Sequence, residues 1–584
     1  MKNSWIITKG FNDELKLDRI YSGDSGSFWS NDAELKRYSL EGFEVSIFID
    51  GYVIPKMDCF EIYKHLQSND LIYHLFEKYE FEFVKYIKGI FVLVLIINGR
   101  YYFYTDHLGI KKCFYFHEKS GKTAITNNLK LLSGLKSLSI NPENVAVNIL
   151  FNHYIDGRTP FNDIFFSGPA SRIVLDNKSF NVTNYWFPEM LLNGNAGSLK
   201  KIEDIAEFFS RLVNNYVTYF TPDNVSIPIT GGLDCRTILA ALRANGIFPR
   251  TYTYGKKTSA DALYGRMIAD KLGLEHTQHK PPENLPEWFG TMSDEIVENG
   301  NAIVSIHRAH RLQAIKGESE KSDFMFLGYL GGETVRGNWP DNLITSSFAL
   351  RLWEKPQQAQ DLIKEHLKKN YFIGDTSEIV CLETFIKKLK FYSDESTNVN
   401  QYYFLLLLKA HIHFAQDLNL FDHYIEKVIP VFMDIDYLKL IFRTPFSLLH
   451  RNNLTRSPIK RLNSTSYSCA LICNLSDQLS TIPLSKGYSP GEYNKNKYFA
   501  VLKREMRKRR ERYTPNFDYE DWYKKFILMT MNDNEMIKEI FNVSKALQKI
   551  IDDNVVFTNE FSCLPYSRMV EIKKIIETYC LEQL

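Results

Sequence analysis

The segment Val225-Ser-Ile-Pro-Ile-Thr-Gly-Gly-Leu-Asp-Cys-Arg236 has the residue types and spacing to hold a phosphate. A strand over 224–229 runs into a tight Gly231-Gly232 turn, and a helix starts at about Leu233. Backbone N–H groups in such a turn, backed by the positive end of the helix, form an anion site. Glycine lets the backbone approach a phosphate closely. Thr230 adds a hydroxyl donor. Asp234 cannot itself welcome phosphate, and its natural role is to hold Mg²⁺ between phosphates. The loop lacks the Gly-Lys-Ser/Thr ending of a Walker A motif, and it is not the dinucleotide fingerprint. On spacing alone a phosphate site and a Gly-Gly turn without ligand are both open.

The elements around this loop alternate. The helix from Leu233 runs to Asn245 and stops at Gly246. Arg250 to Tyr254 reads as a strand, and Asp261 to Leu272 as a helix that Ser259 or Asp261 could cap. Ser322 to Leu327 reads as an apolar strand. That alternation predicts an α/β fold with a doubly wound parallel sheet, followed from Ser347 by a mainly helical part. Residues 1 to about 190 read differently. Phe43 to Ile49, Gly89 to Ile97 and Arg100 to Tyr104 are β-branched and aromatic runs, and Asn98-Gly99 is a hairpin signal. With a helix over Asp70 to Tyr86, this part predicts a sheet-rich α+β domain. The Gly/Asn/Ser stretch Leu191 to Ser198 reads as a linker. The expected domains are therefore 1–190 and 200–584.

The chain has 584 residues, too many for one compact core, and a formal net charge of +2, so nothing global points to nucleic acid. Its 8 Cys are scattered, which suits reduced thiols better than a disulfide framework. Met1 to Leu17 lacks the apolar core of a signal peptide. The apolar run Ile90 to Ile97 is far short of the ~20 residues that span a bilayer. A cytoplasmic protein without a membrane span is the expectation.

Thr230-Gly-Gly-Leu-Asp-Cys-Arg236 resembles the Ser-Gly-Gly-x-Asp-Ser loop of the asparagine synthetase family of ATP pyrophosphatases, with Thr230 for its first Ser and Cys235 for its last. Further landmarks follow in family order. Tyr252-Thr-Tyr-Gly255 ends the second strand, where the family holds adenine through the backbone. Asp261 to His276 resembles its next helix and Leu-Gly-x-x-His exit. Gly328-Tyr-Leu-Gly-Gly-Glu-Thr-Val-Arg-Gly337 resembles its pyrophosphate loop, and Pro430-Val-Phe-Met-Asp434 its Pro-Phe-Leu-Asp segment. Ile482-Pro-Leu-Ser-Lys-Gly-Tyr488 stands where the family places a charge-stabilising lysine.

The resemblance implies cofactors ATP and Mg²⁺. It places ATP or pyrophosphate against Ile229, Thr230, Gly231, Gly232, Leu233, Asp234, Cys235, Tyr254, Gly255, Gly328, Tyr329, Gly331 and Gly332. It implies metal on Asp234 and Glu333, and catalytic roles for Lys486 and Asp234. Leu330 departs from the family, which often carries Glu or Tyr there to handle the nucleophile's proton. Leucine cannot, so a base must come from elsewhere or the amine must arrive neutral.

The first domain resembles the family's class II glutaminase domain, with an Ntn-hydrolase-like fold. Gly89-Ile-Phe-Val-Leu-Val-Leu, Tyr104-Thr-Asp-His-Leu-Gly-Ile-Lys-Lys-Cys-Phe-Tyr115, Thr159 to Ile164 and Tyr185-Trp186 carry that resemblance. Its chemistry is missing. Lys2 follows Met1 where the nucleophilic Cys is required, and no Cys precedes Cys59. The oxyanion Asn-Gly appears as Asp50-Gly51, and a carboxylate repels an oxyanion. The family's His-Arg-Gly-Pro-Asp stretch is not recognisable between Tyr21 and Tyr38.

The expected function is an ATP-dependent ligase that adenylates a small-molecule, sugar-acid or peptide carboxylate and passes the acyl group to an amine, without hydrolysing glutamine. An intramolecular cyclase forming a lactam or macrolactam and a non-catalytic nucleotide-binding pseudo-ligase remain as alternatives, and a homodimer is compatible with each. Three other features read plainly. The basic run Lys503 to Arg512, with its interspersed Glu, reads as a solvated helix face before an anion-binding one. His411 and His413 cannot share one helix face. Cys469 and Cys473 lack the second pair a zinc site needs.

Overall fold

The computed structural model describes residues 4–11, 15–31, 34–40, 42–187, 191, 201–336, 343–374, 406–448, 458–508, 513–514, 521–531, 535–552, 555, 557 and 560–580. The linker expected over 191–198 falls almost wholly outside them, as do Met1 and Lys2.

Two six-stranded sheets form the N-terminal part. One runs in the order Phe165–Phe166, Phe114–His117, Thr123–Thr126, Trp5–Lys9, Gly26–Ser30, Asp18–Gly23. The other runs Phe180–Asn184, Ser171–Leu175, Arg100–Thr105, Ile87–Ile97, Phe43–Pro55, Lys36–Leu40. Every pairing in both is antiparallel. The run at 87–97 is apolar throughout because both its faces are covered. Val92, Val94 and Ile96 meet Trp5, Ile7 and Phe28 between the sheets, whereas Phe91, Leu93 and Leu95 meet Leu71, Ile72 and Leu75 of the helix Ser68–Tyr79. Period-two alternation sorts the residues to the two sides. On the far side of the first sheet, Ile6, Phe114 and Phe116 share a core with Val145 and Leu150 of the helix Pro142–Phe151. The result is a helix–sheet–sheet–helix stack. The hairpin at Asn98-Gly99 has φ of 49° and 75°, the left-handed pair that a tight two-residue turn requires.

The helix expected over Asp70 to Tyr86 is shorter. It ends at Tyr79, and residues 80–85 tighten into a 3₁₀ turn after Glu80, whose φ is 47°.

The second part is built on a parallel sheet in the order His276–His279, Arg250–Tyr254, Val225–Pro228, Phe324–Phe326, Lys427–Ile429. Helices Asp234–Ala244 and Ala260–Leu272 make the crossovers. Ser259 caps the second by accepting the Ala262 N–H, and Gly273 closes it at φ 64°. Helices dominate the remaining described residues after 347. The fold is thus α/β with a parallel sheet and a helical C-terminal region, preceded by a sheet-rich α+β part.

The two parts are tied by buried charge. Lys88 Nζ, 1% exposed, lies 2.8 Å from Asp434 Oδ2 and 2.9 Å from Asp436 Oδ2. Tyr216 donates to Asp434 as well, at 2.6 Å. Asp434 also caps the helix Ile435–Ile441.

Candidate functional site

Reading the parallel sheet outwards, the chain order runs one way from Val225–Pro228 through Arg250–Tyr254 to His276–His279, and the other way through Phe324–Phe326 to Lys427–Ile429. The winding reverses between strands 225–228 and 324–326. In open parallel sheets, the loops leaving the carboxyl ends of two such strands diverge and leave a crevice for ligand. Here those loops are 229–233 and 327–336, the two Gly-rich segments.

The loops meet on Asp234. A Cβ added at Gly328 would stand 3.0 Å from Asp234 Cβ and 2.8 Å from Cys235 Sγ, and one at Gly331 would stand 2.9 Å from Asp234 Oδ1. These glycines are what lets the second loop lie on the first. Gly232 is exposed at the loop tip, and its N–H is given to Thr230 Oγ1 at 3.1 Å. The helix Asp234–Ala244 has no side-chain cap, unlike its neighbour at Ser259, so no capping side chain takes its first-turn N–H groups. Ile229 and Leu233 are buried and anchor the turn from below.

A third loop closes on the first. Arg236, fully buried, donates to the carbonyls of Ile482 at 2.7 Å and Pro483 at 3.1 Å. Burial brings its guanidinium down to about 10. Ser485 N–H donates to Gly231 O at 3.1 Å. These bonds deliver the 482–488 segment, and Lys486 with it, to the Gly231-Gly232 loop. Lys486 is exposed at the rim. Loss of hydration pulls its ammonium below the usual lysine value, with Arg336 and Arg504 adding to this and Asp234 opposing it.

Electrostatics at the centre are paired. Arg336 Nη2 lies 2.6 Å from Asp234 Oδ1 and 2.5 Å from Oδ2. Glu333 is half-buried; burial pushes its carboxyl up, Lys409 draws it back, and the Asp234 charge pushes it further. Lys409 is lowered by burial, against the pull of Glu333. A carboxyl pushed up by a second carboxylate from the facing glycine loop fits a cation held between them. Arg336 supplies that charge in this structure and must turn aside from Asp234 for Mg²⁺ to bind there.

Other expected residues fall around this centre. Tyr254 and Gly255 end their strand; the Gly255 N–H is given to His279 O at 2.9 Å, and its carbonyl accepts from Gln278 at 3.1 Å. Cys235 packs under Gly328, and burial holds its thiol up at about 12, so it is a neutral group. Tyr329 turns away from Asp234. It donates to Asp417 Oδ2 at 2.7 Å and stacks on Phe414 at 4.8 Å between ring centroids. Asp417, fully buried, also pairs with Arg311 at 2.6 Å and Arg308 at 3.1 Å. Leu330 is 1% exposed with φ 70°, a side chain folded into the core. Motif spacing points to neither Arg336 nor Lys409. Arg336 lies inside the Gly-rich 328–337 segment, where a charge next to glycines is the available signal. Lys409 gives none.

In the N-terminal part, Asp50 stands on the strand Phe43–Pro55 and is 8% exposed. It accepts from Trp5 Nε1 at 2.7 Å and Asn127 Nδ2 at 2.9 Å, and pairs with Lys111 Nζ at 2.8 Å. Lys111 also binds Asp422 of the second part. A cavity of about 680 Å³, whose lining includes Asp50, Asn127, Asn301 and Asp422, opens there. The carboxylate where an oxyanion hole is expected is therefore consumed by structural partners. His411 and His413 point apart: His411 Nδ1 meets Gly109 O at 2.6 Å, and His413 meets His153 at 3.1 Å.

No protein-family model and no curated protein matches the chain. Among solved structures it is similar to one titled "Structure of the allosteric regulatory enzyme of purine biosynthesis", at 8% identity and a TM-score of 0.22, covering 60% of this chain and 72% of that one. That overlap is too loose to bear on the site.

Proposed function

We propose that the protein is an ATP-dependent ligase that adenylates a carboxylate and passes the acyl group to an amine, without hydrolysing glutamine. The observation that carries this reading is the convergence of two Gly-rich loops on Asp234, leaving adjacent strands where the sheet reverses its winding, with a third loop closing on Gly231.

In the first step a carboxylate oxygen of the substrate attacks the α-phosphorus of ATP. The bond to the bridging oxygen breaks, leaving acyl-AMP and pyrophosphate. Thr230, Gly231 and the uncapped first turn of the helix at Asp234 offer donors to the phosphates. Lys486 and Arg336 offset negative charge that builds on the leaving pyrophosphate. Asp234 and Glu333 would hold Mg²⁺, which when bound screens the phosphates and fixes their geometry. In the second step the amine nitrogen attacks the acyl carbon, AMP leaves and the nitrogen sheds a proton. Leu330 takes no part in that transfer.

The Arg336–Asp234 pair favours a second reading, in which the site binds nucleotide without a metal and without turnover. Pyrophosphate release from ATP and Mg²⁺ across a panel of carboxylates and amines separates the two. Release that requires one carboxylate supports the ligase. ATP binding by calorimetry with no release across the panel supports the non-catalytic reading. Absence of both refutes the site.

A further inference from the structure

The cavity of about 680 Å³ beside Asp50 is separate from the crevice at Asp234. The helix Ala415–Phe421 stands between them. From it Asp417 reaches Tyr329 of the second glycine loop, whereas Ala415, Asn419 and Asp422, spaced i, i+4 and i+7 along one side, line the cavity. The donors around Asn419 and Asp422 are already engaged. Lys111 gives its ammonium to Asp50 at 2.8 Å and to Asp422. Lys112 gives its own to the carbonyls of Gly109 at 3.0 Å and His411 at 2.7 Å. Asn127 Nδ2 donates to Asp50 at 2.9 Å, and Asn301 Nδ2 to the Asn127 carbonyl at 3.2 Å. Asn419 Nδ2 donates to the carbonyls of Ile110 at 2.5 Å and Ala415 at 2.7 Å. By contrast Asn419 Oδ1 and Asp422 Oδ1, three residues apart on one helix side, accept no hydrogen bond from the described residues.

Charge agrees with this. Asp50, Lys111 and Asp422 together carry one net negative charge. The exposed lining residues Glu34 and Asp323 add two carboxylates, and Lys427 is paired with Glu426 at 3.1 Å. The lining also has an apolar stretch, made by the buried side chains Phe48, Phe114, Ile303 and Val304. We propose that this cavity binds a small aliphatic amine in its ammonium form, with its N–H groups on Asn419 Oδ1 and Asp422 Oδ1 and its carbon chain against the apolar stretch. An ammonium has three donors and no acceptor, the complement of the two oxygens left over. The volume is in the range of small-molecule sites. A carboxylate, or a zwitterion such as glutamine, would find the lysine and amide donors taken. A metal ion would use the two oxygens but set its remaining waters against Phe48 and Val304. An alkylammonium matches both parts of the lining. The ligase reading calls for an amine as well, but binding here does not depend on ATP.

The full chain, without ATP and at neutral pH, is titrated against n-pentylamine, 1-pentanol, pentanoate and glutamine by ligand-observed NMR. Pentylamine is expected to bind about tenfold or more tighter than pentanol, and pentanoate and glutamine not to bind. Asp422→Asn removes the negative charge and keeps the shape; it is expected to weaken pentylamine by about tenfold or more and to leave pentanol unchanged. Should that variant not fold, Asn419→Ala, which removes the other oxygen, takes its place with the same expectation. ATP is titrated separately and should bind the parent and the variant alike, so that loss of the amine site and failure of the ATP site are read apart. Pentylamine binding no tighter than pentanol overturns the proposal. So does tighter binding of pentanoate or glutamine than of pentylamine, or undiminished pentylamine binding by the folded variant.

Discussion

Gly231 is where the first and third loops are locked together, and an alanine there should separate them. Its Cβ would stand 2.8 Å from Ser485 Oγ and 3.1 Å from Ser485 N, and nearer still to Ser485 Cβ. Unstrained contacts between such atoms begin near ~3.5 Å, so the loops must part by about 1 Å. Crowding of this kind costs about 1–3 kcal/mol where the surroundings cannot yield. Ile482, Leu484 and Tyr488 are buried and Arg236 holds the Ile482 and Pro483 carbonyls, so the 482–488 loop yields little and both stability and position are affected. A displacement of about 1 Å of a charge-stabilising group lowers a rate by about 10²-fold. Gly231→Ala is therefore expected to lose about 1–3 kcal/mol of stability and to release pyrophosphate about 10²-fold more slowly. Ser485→Gly removes the obstructing Cβ and Oγ and keeps the 3.1 Å backbone bond to Gly231 O. Alone it should cost little; combined with Gly231→Ala it should restore most of the rate. A double-mutant cycle in pyrophosphate release reads this coupling. Parent-like turnover in Gly231→Ala, or strict additivity in the double variant, would show that the loops do not interlock here.

Three further outcomes follow from the charges. Because Lys486 loses its proton more readily than a fully hydrated lysine and acts as the cation, pyrophosphate release should decline on the alkaline side at a lower pH than an unperturbed lysine would give; Lys486→Arg should push that decline upward, and an unchanged alkaline limb would remove Lys486 from the step. Burial holds His276 at about 4 and His307 and His310 at about 3, below the ordinary 6.5. The unfolded chain then binds protons that the folded chain refuses, so this stability is present above pH 6.5 and is lost as pH falls from there toward 3–4. The melting temperature should drop steeply across that window, and His307→Gln should reduce the drop; a flat profile contradicts it. Lys88→Met leaves Asp434 and Asp436 buried without their cation, at a cost of about 3–5 kcal/mol, readable by denaturant titration; a change below about 1 kcal/mol would mean that water or another cation compensates.

Much of the scaffold could be read from local chemistry. The Asn98-Gly99 turn, the strand at 250–254 and the Ser259-capped helix each rest on a few neighbouring residues whose preferences agree with the fold. Two strands of the parallel sheet were not legible. His276–His279 is half-buried along its length and shows no alternation, and Lys427–Ile429 spans three residues between helical segments. Length and pattern fail together there, and only pairing with 250–254 and 324–326 makes them strands. At the candidate site the glycine loops announced themselves, because close backbone approach restricts the residue type. What they approach did not. The Arg336 grip on Asp234 spans 102 positions and the Arg236 bond to Ile482 spans 246, distances over which spacing carries no signal. The N-terminal departure was legible at Asp50 as a change of charge, whereas its partners Trp5, Asn127 and Lys111 emerge only from the packing of the two sheets.

The central claim is that Asp234 organises an ATP site that cleaves at the α-phosphorus. The most direct test is the identity of the nucleotide product when α-labelled ATP, Mg²⁺ and an accepted carboxylate are incubated with the parent and with Asp234→Asn. The account predicts AMP and pyrophosphate from the parent, and no AMP from a variant that melts like the parent. ADP and phosphate as the products, or undiminished AMP from Asp234→Asn, would contradict it.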